Sequence, residues 1–329
     1  MRKFILSAFI LALPGCLFSQ TGVTDPVTLK ICAQVKDTPV PASDRPTPNE
    51  AQQPAPCNSQ ELYYGFDKTP DPVAARKCAY LEMQRGDLPR AFAGPTILTM
   101  IYANGKGVTR NYDLALKFAC QAPGAAGDVA GRVRQLERYK QSNWQGDGFS
   151  ICEHSSGRVL YRDCAILDER FDHLDREKKL NAIAAQWKPE AKEPFQELRH
   201  AAAAFFQVEA AKGLDLSASF EIQERAFLER QFLQDLDQLV SGDLPSAKAA
   251  DAAKAEKDMQ AAYDAAVAHK PSQSSTVTSE GIKESQQEWL RYRQAWLKFA
   301  NREYPAVALE SWNAWLDGQR TEMLQRALY

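Results

Sequence analysis

The sequence predicts an all-α fold, in which a disulfide-stapled helical-repeat unit is followed by an antiparallel helical bundle. From about Ser59 onward the strong helix formers Ala, Leu, Glu, Gln, Lys and Arg dominate, and no alternating or β-branched run indicates a strand. Six cysteines lie between Cys32 and Cys164, and none follows them. We therefore expect disulfides to stabilise the first half of the chain and packing alone to stabilise the second.

The N-terminus has the features of a signal peptide, which we assign to residues 1–19. The basic pair Arg2-Lys3 precedes an apolar run from Phe4 to Leu13 that is too short to span a bilayer. Two export routes stay open: cleavage after Ser19, or a lipoprotein route in which Leu13-Pro14-Gly15-Cys16 directs a lipid to Cys16. Both predict a periplasmic or secreted protein, in an oxidising compartment where cysteines pair.

The remaining cysteines are even in number, which in an exported chain predicts three disulfides among Cys32, Cys57, Cys78, Cys120, Cys152 and Cys164. Cys152 and Cys164 flank the turn sequence Ser155-Ser156-Gly157, so we expect them to pair with each other. A metal site is the alternative, but the chain has no C-x-x-C, and its four histidines form no H-E-x-x-H. We therefore predict neither a metal nor another cofactor.

Length and charge narrow the classes of function. About 310 residues remain without the signal peptide, which is enough for two domains. The full sequence has 42 acidic and 40 basic residues, a formal net charge of −2. Nucleic-acid binding needs a net basic face, so this balance argues against it and is compatible with a cationic partner.

Composition divides the chain after the signal peptide. Residues 20–56 are rich in proline and lack apolar periodicity, so we interpret them as an extended arm. Residues 57–140 contain an internal repeat, and residues 141–224 read as a helical connector. The last helical domain covers residues 225–329.

The repeat consists of two segments, Asp71–Cys78 and Asp113–Cys120, in each of which an aspartate stands seven residues before a cysteine. Ahead of the second segment, Leu98–Val108 contains Tyr-Ala-Asn-Gly-Lys-Gly and resembles a Sel-like repeat, a relative of the tetratricopeptide helix pair. The resemblance implies that Gly105 and Gly107 end the first helix of the pair, since glycine adopts a positive φ at little cost.

The Sel-like resemblance also implies a disulfide. Cysteine-rich members of that family join the two helices of a unit, which implies a Cys57–Cys78 pair here. With Cys152 and Cys164 also paired, Cys32 and Cys120 are the two cysteines that remain, and we expect them to form the third disulfide. The alternative is Cys78–Cys120, because the repeat makes their helices equivalent neighbours.

Three C-terminal segments resemble the lysozyme inhibitor LprI-like domain of exported bacterial proteins: Lys257–Tyr263, Gln287–Arg293 and Trp315–Arg320. The resemblance covers about residues 225–328, although the cysteines that this family often carries are missing from the tail. It implies a helical domain that binds a protein partner in the envelope, with lysozyme as the specific candidate.

Five residues of this region are candidates for contact with a partner: Trp289, Tyr292, Arg293, Trp312 and Arg320. The aromatic rings at intervals of three and four residues also suit the core face of a helix, where they would be buried. For the two arginines, the alternative is a hydrogen bond to a helix C-terminus or to an internal acid such as Glu288 or Asp317.

The leading hypothesis for function is a non-enzymatic envelope protein that binds another protein. One alternative is an enzyme that acts on cell-wall glycan through two carboxylates, with Asp168-Glu169 and Glu193-Glu197 as candidate pairs. The other is a structural scaffold, against which an exposed Trp289, Trp296 or Trp312 would count. His154 has neither a nucleophile elbow nor an identifiable acid partner, so we do not expect it to be catalytic.

Overall fold

The structure is a computed structural model that describes residues 25–51, 57–66, 68–86, 91–213, 218–269 and 277–326. The predicted signal peptide, with Cys16, lies outside these residues. Within them all regular structure is helical and no strand occurs, which confirms the all-α prediction. None of the helices in the described ranges is both long and apolar enough to span a membrane.

The chain divides into two compact units, Met1–Cys164 and Ala165–Tyr329. The first unit contains seven complete α-helices in its described part: α1 Pro26–Val35, α2 Pro48–Ala51, α3 Ser59–Tyr64, α4 Pro72–Arg85, α5 Pro95–Asn104, α6 Tyr112–Gln121 and α7 Ala126–Gln141. Helix α8, Arg158–Ala184, begins in the first unit and ends in the second.

In the first unit, each of the helices α3 to α6 packs on the next one in the sequence. Helix α5 ends at Gly105, which has a φ of 66°. Gly107 has the same φ, and a Cβ there would lie 3.0 Å from the Cβ of Pro72. Gly105 therefore ends α5, as the Sel-like resemblance implied, and Gly107, in the loop that follows, allows this loop to approach the start of α4 closely.

The two helices of the sequence repeat do not begin at equivalent positions of the alignment. Asp71 caps α4, where its carboxylate accepts a hydrogen bond from the Ala74 amide at 2.9 Å. The corresponding cap of α6 is Asn111, which accepts from the Leu114 amide at 3.0 Å. Asparagine caps a helix as well as aspartate does, so α6 begins after Asn111. Asp113 then lies inside the first turn of α6.

Three disulfides cross-link the first unit, with Cα–Cα distances of 5.7–5.8 Å: Cys32–Cys120, Cys57–Cys78 and Cys152–Cys164. These are the three pairs favoured by the sequence, and the alternative Cys78–Cys120 pair is not formed. The first joins α1 to α6, and the third joins the 3-10 helix Ile151–His154 to α8. Three disulfides indicate an oxidising, extracellular type of compartment.

The described residues of the proline-rich arm are folded onto the repeat unit. Helix α1 packs on α6 and α7, and it begins where Asp25 caps a helix with proline at its first position. Further along, the Nζ of Lys117 donates to the Thr38 carbonyl at 2.7 Å, and the buried Asp44 pairs with Arg76. The arm prediction therefore missed two helices, α1, whose buried Ile31 and Val35 are four residues apart, and the short α2.

The second unit contains five further helices in its described part: α9 Pro189–Val208, α10 Ala218–Val240, α11 Ala249–Ala268, α12 Ser279–Glu303 and α13 Leu309–Arg326. A π-helical turn, Glu209–Gly213, extends α9. Helix α12 packs along α9, and α13 packs along α11.

The core of the second unit is aromatic. Trp296 is fully buried, and its ring lies within 6.3 Å, centroid to centroid, of five other aromatic rings, those of Phe232, Tyr292, Phe299, Trp312 and Trp315. Trp289, Tyr292 and Phe299 are buried on the same face of α12. The aromatic stripe is therefore the core face of α12, which was the structural alternative in the sequence.

Candidate functional site

Hydrogen bonds between three helices fix their directions and so the geometry of the candidate site. The Ala247 amide donates to Ser311 Oγ at 2.9 Å, which places the start of α13 beside the start of α11. These two helices therefore run in the same direction. Asp317 pairs with Arg293, while Arg320, one turn further along α13, pairs with Gln286. This reversed order shows that α12 runs in the opposite direction to α11 and α13.

A cleft of about 430 Å³ opens between α11 and α12, with α13 at one end. It is lined by Glu256, Met259, Gln260, Tyr263, Lys283, Gln286, Gln287, Trp289, Leu290, Arg293 and Asp317. All three segments of the LprI-like resemblance contribute residues to this lining. Because α11 and α12 are antiparallel, Tyr263 shares one end of the cleft with Lys283, and Glu256 shares the other with Arg293.

Arg293 holds Asp317 at the wall of this cleft. Its Nε donates to Asp317 Oδ1 at 2.8 Å, and its Nη2 donates to Asp317 Oδ2 at 3.3 Å and to Asn313 Oδ1 at 3.1 Å. Asp317 is buried, whereas a quarter of the Arg293 side chain is exposed. The expected hydrogen bond to an internal acid is therefore formed with Asp317, while Glu288, the other acid named from the sequence, pairs with Arg291.

Arg320 is fully buried beneath the cleft and forms three hydrogen bonds. Its Nε donates to Gln286 Oε1 at 2.9 Å, its Nη1 to Glu209 Oε2 at 2.9 Å, and its Nη2 to Ser285 Oγ at 3.1 Å. The Ser285 hydroxyl in turn donates to the Glu209 carboxylate. This network joins the end of α9 to α12 and α13, and it satisfies a charge that would otherwise be costly to bury.

Sequence reasoning did not identify Glu209, the acid that pairs with Arg320. The two residues are 111 positions apart, and no motif connects them. Glu209 begins the π-helical turn, a rare conformation that is common at functional sites. Gly213 ends this turn, and a Cβ there would lie 2.5 Å from a Glu209 carboxylate oxygen. A single π-helical turn is too short to produce a repeating pattern of apolar residues, so the sequence gives no sign of it.

The side-chain amide of Gln286 has a donor nitrogen without a strong acceptor. Its Oε1 is held by Arg320, but its Nε2 meets only the sulfur of Met259, at 3.5 Å. Thioether sulfur is a weak acceptor. Gln286 is 8 % exposed and lines the cleft, so its amide group is a buried donor at the cleft surface.

Four of the five candidate contact residues are buried: Trp289, Tyr292, Trp312 and Arg320. Burial, with the charge of Asp235, raises the pKa of the Tyr292 phenol. Since these side chains fill the core, their proposed contact with a partner is not available in the folded chain. Only Arg293 reaches the surface, although part of Trp289 lines the cleft.

One carboxylate of each pair considered for glycan hydrolysis is already engaged. Glu169 pairs with the buried Arg176, and Glu197 pairs with Lys298 at 2.5 Å. In the cleft, both oxygens of Asp317 accept from Arg293, so Asp317 does not form a free pair with Glu256. Glycoside hydrolysis needs two available carboxyl groups across the substrate.

His154 is held in the first unit. One of its ring nitrogens, Nε2, bonds to Gln135 Oε1 at 2.7 Å, and burial lowers the pKa of its imidazole. Within the described ranges, no group of three or more His, Cys, Asp or Glu side chains is arranged to hold a metal ion.

Comparisons with protein-family models, with curated proteins and with solved structures gave no match to this chain.

Proposed function

We propose that this chain is an exported bacterial envelope protein that binds a cationic protein without catalysis, and that lysozyme is its specific target. The LprI-like segments Lys257–Tyr263, Gln287–Arg293 and Trp315–Arg320 suggest the target. The observation that carries the proposal is the uneven distribution of charge in the chain.

Residues 165–329 contain 27 acidic and 21 basic residues, although the whole chain is nearly balanced. Helices α10 and α11 supply most of this excess, with nine acidic and four basic residues between them. On α11 the acidic side chains of Asp251, Glu256, Asp258 and Asp264 are exposed. An acidic surface attracts a basic protein such as lysozyme and speeds its association.

The exposed acids lie on a unit with an extensive buried core. The aromatic side chains of α12 are buried, and α11 packs along α13. A surface that is ordered before binding loses little conformational entropy on association. The exposed acids of α11 are therefore suited to binding a protein as a rigid body.

The first test measures inhibition and binding of lysozyme by the chain from residue 20 onward. We expect dose-dependent inhibition in a turbidity assay and an affinity, by calorimetry, that falls as salt concentration rises. The double variant Glu256→Lys/Asp264→Lys should weaken binding about tenfold or more. The matched control is Asp168→Lys/Asp172→Lys, which makes the same charge change at exposed positions of α8.

The outcome that contradicts the proposal is the absence of both inhibition and binding at low salt. Equal loss in the test and control variants would assign the effect to net charge rather than to the α11 surface. The glycan-hydrolysis alternative has less support, because Glu169 and Glu197, one member of each candidate pair, are paired with Arg176 and Lys298. For the scaffold alternative, Trp289, Trp296 and Trp312 are buried and so do not count against it.

A further inference from the structure

We infer that the cleft between α11 and α12 binds a short peptide in an extended conformation, with a free amino end and a free carboxyl end. This site shares Glu256 with the acidic surface proposed to bind a protein, but its ligand is different and is tested without that protein. The size of the cleft, the charges at its two ends and the hydrogen-bond donors between them all suit such a peptide.

The cleft has the length of a short peptide. Lys283 and Arg293, both in its lining, are ten residues apart on α12, which corresponds to about 15 Å at the rise of an α-helix. An extended chain advances about 3.3 Å per residue, so the cleft accommodates roughly four or five residues. Its volume of about 430 Å³ is in the range of sites that enclose small ligands.

The two ends of the cleft carry opposite charges. Lys283 is exposed, and its ion pair with Glu280, at 3.7 Å on the surface, is weak. At the other end Arg293 is neutralised by Asp317, so the exposed Glu256 sets the charge there. A carboxylate would therefore bind near Lys283 and an ammonium group near Glu256.

Between these charges the lining offers hydrogen-bond donors to peptide carbonyl groups. The Nε2 of Gln286 has only a sulfur partner, and a carbonyl oxygen would be a stronger acceptor. The Nη1 of Arg293 has no hydrogen-bond acceptor among the described residues. Met259 and the half-exposed Leu290 supply apolar surface for side chains.

The test is calorimetric titration of the mature chain with tetra-alanine, with its N-acetylated form and with its C-terminal amide. We expect tetra-alanine to bind and each blocked form to bind about tenfold more weakly. A tetramer of N-acetylglucosamine tests the saccharide alternative. Lysozyme is absent from these titrations, so the result does not depend on the proposed protein partner.

Two variants assign the ends. Lys283→Gln should weaken tetra-alanine about tenfold without affecting the amide, and Glu256→Gln should have no effect on the N-acetylated form. The matched control is Lys298→Gln, which removes an exposed lysine of α12 outside the cleft. Gln286→Glu keeps the acceptor for Arg320 but removes the donor, so it should weaken all three peptides.

Several results would overturn the inference. One is that tetra-alanine does not bind. Another is that the saccharide binds and the peptides do not, which would make the cleft a glycan site. Equal binding of the free and blocked peptides, or equal effects of Lys283→Gln and Lys298→Gln, would show that the charged ends are not recognised.

Discussion

Arg320 Nη1 lies 2.9 Å from Glu209 Oε2, and both side chains are almost completely buried. The pair connects the last helix of the chain to the π-helical end of α9. Ser285 and Gln286 of α12 complete the hydrogen bonding of the guanidinium group. The arginine therefore fixes the position of α13 against two other helices, directly beneath the cleft.

Removal of Arg320 should strongly destabilise the chain, because it leaves the Glu209 carboxylate buried without a counter-ion. For Arg320→Met we expect the free energy of unfolding to fall by about 3–5 kcal/mol, measured by urea denaturation. Adding Glu209→Gln to this variant should recover part of the loss, since a neutral amide is easier to bury. A loss below about 1 kcal/mol would show that the ion pair contributes little.

Gly213 and Gly318 provide a matched pair of substitutions to alanine. At Gly213 the new Cβ would meet the Glu209 carboxylate at 2.5 Å, so we expect a loss of about 1–3 kcal/mol. At Gly318, inside α13, no atom lies within 4 Å, and alanine should stabilise the helix by about 0.5–1 kcal/mol. Thermal or urea unfolding measures both, and effects of the same sign would contradict this account.

Asp235 should make the stability of the second unit depend on pH. Burial raises the pKa of its carboxyl from 3.8 to about 6, although Gln231 and Gln319 donate hydrogen bonds to it. The folded state therefore favours the protonated form. The stabilising contribution is complete below pH 3.8 and is lost as pH rises through about 6.

The variant Asp235→Asn removes this titration. At pH 7.5 it should be more stable than the parent chain by about 2 kcal/mol, and near pH 4 the difference should vanish. Urea denaturation at several pH values measures the effect. A difference that does not change with pH would show that Asp235 titrates normally.

The disulfides should differ in their contributions to stability according to the length of chain that they enclose. Cys32 and Cys120 are 88 residues apart, whereas Cys152 and Cys164 are 12 apart. On the chain-entropy account, replacing both cysteines of a pair with alanine should cost about 4–5 kcal/mol for the first and about 3 kcal/mol for the second. Guanidinium denaturation of the two double variants tests the order, and the reverse order would contradict it.

The sequence predicted the features that depend on local spacing. The aromatic rings of α12 recur at helical intervals, so their burial on one face could be foreseen. The glycines at the end of α5 carry their own conformational signal. The local Cys152–Cys164 pair followed from the turn that its cysteines flank.

The sequence did not predict features that depend on contacts between distant segments. The partner of Arg320 comes from the π-helical end of α9, 111 residues away, and the cleft is lined by residues of three different helices. Helix α1 was not predicted, because it lies in a proline-rich segment. Its start is nevertheless marked in the sequence by the capping residue Asp25 and by Pro26. Burial also could not be assigned to Trp312 from the sequence of α13 alone, because Trp312 packs against Trp296 of another helix.

The disulfide topology has a consequence for biogenesis. Cys57–Cys78 lies entirely within the loop closed by Cys32–Cys120. When a chain enters an oxidising compartment amino end first, Cys57 is the first thiol that Cys32 meets, and the native partner arrives 63 residues later. In that order of entry, native pairing requires either that Cys32 remain reduced until Cys120 arrives or that a Cys32–Cys57 bond be exchanged, a step that a thiol–disulfide isomerase accelerates.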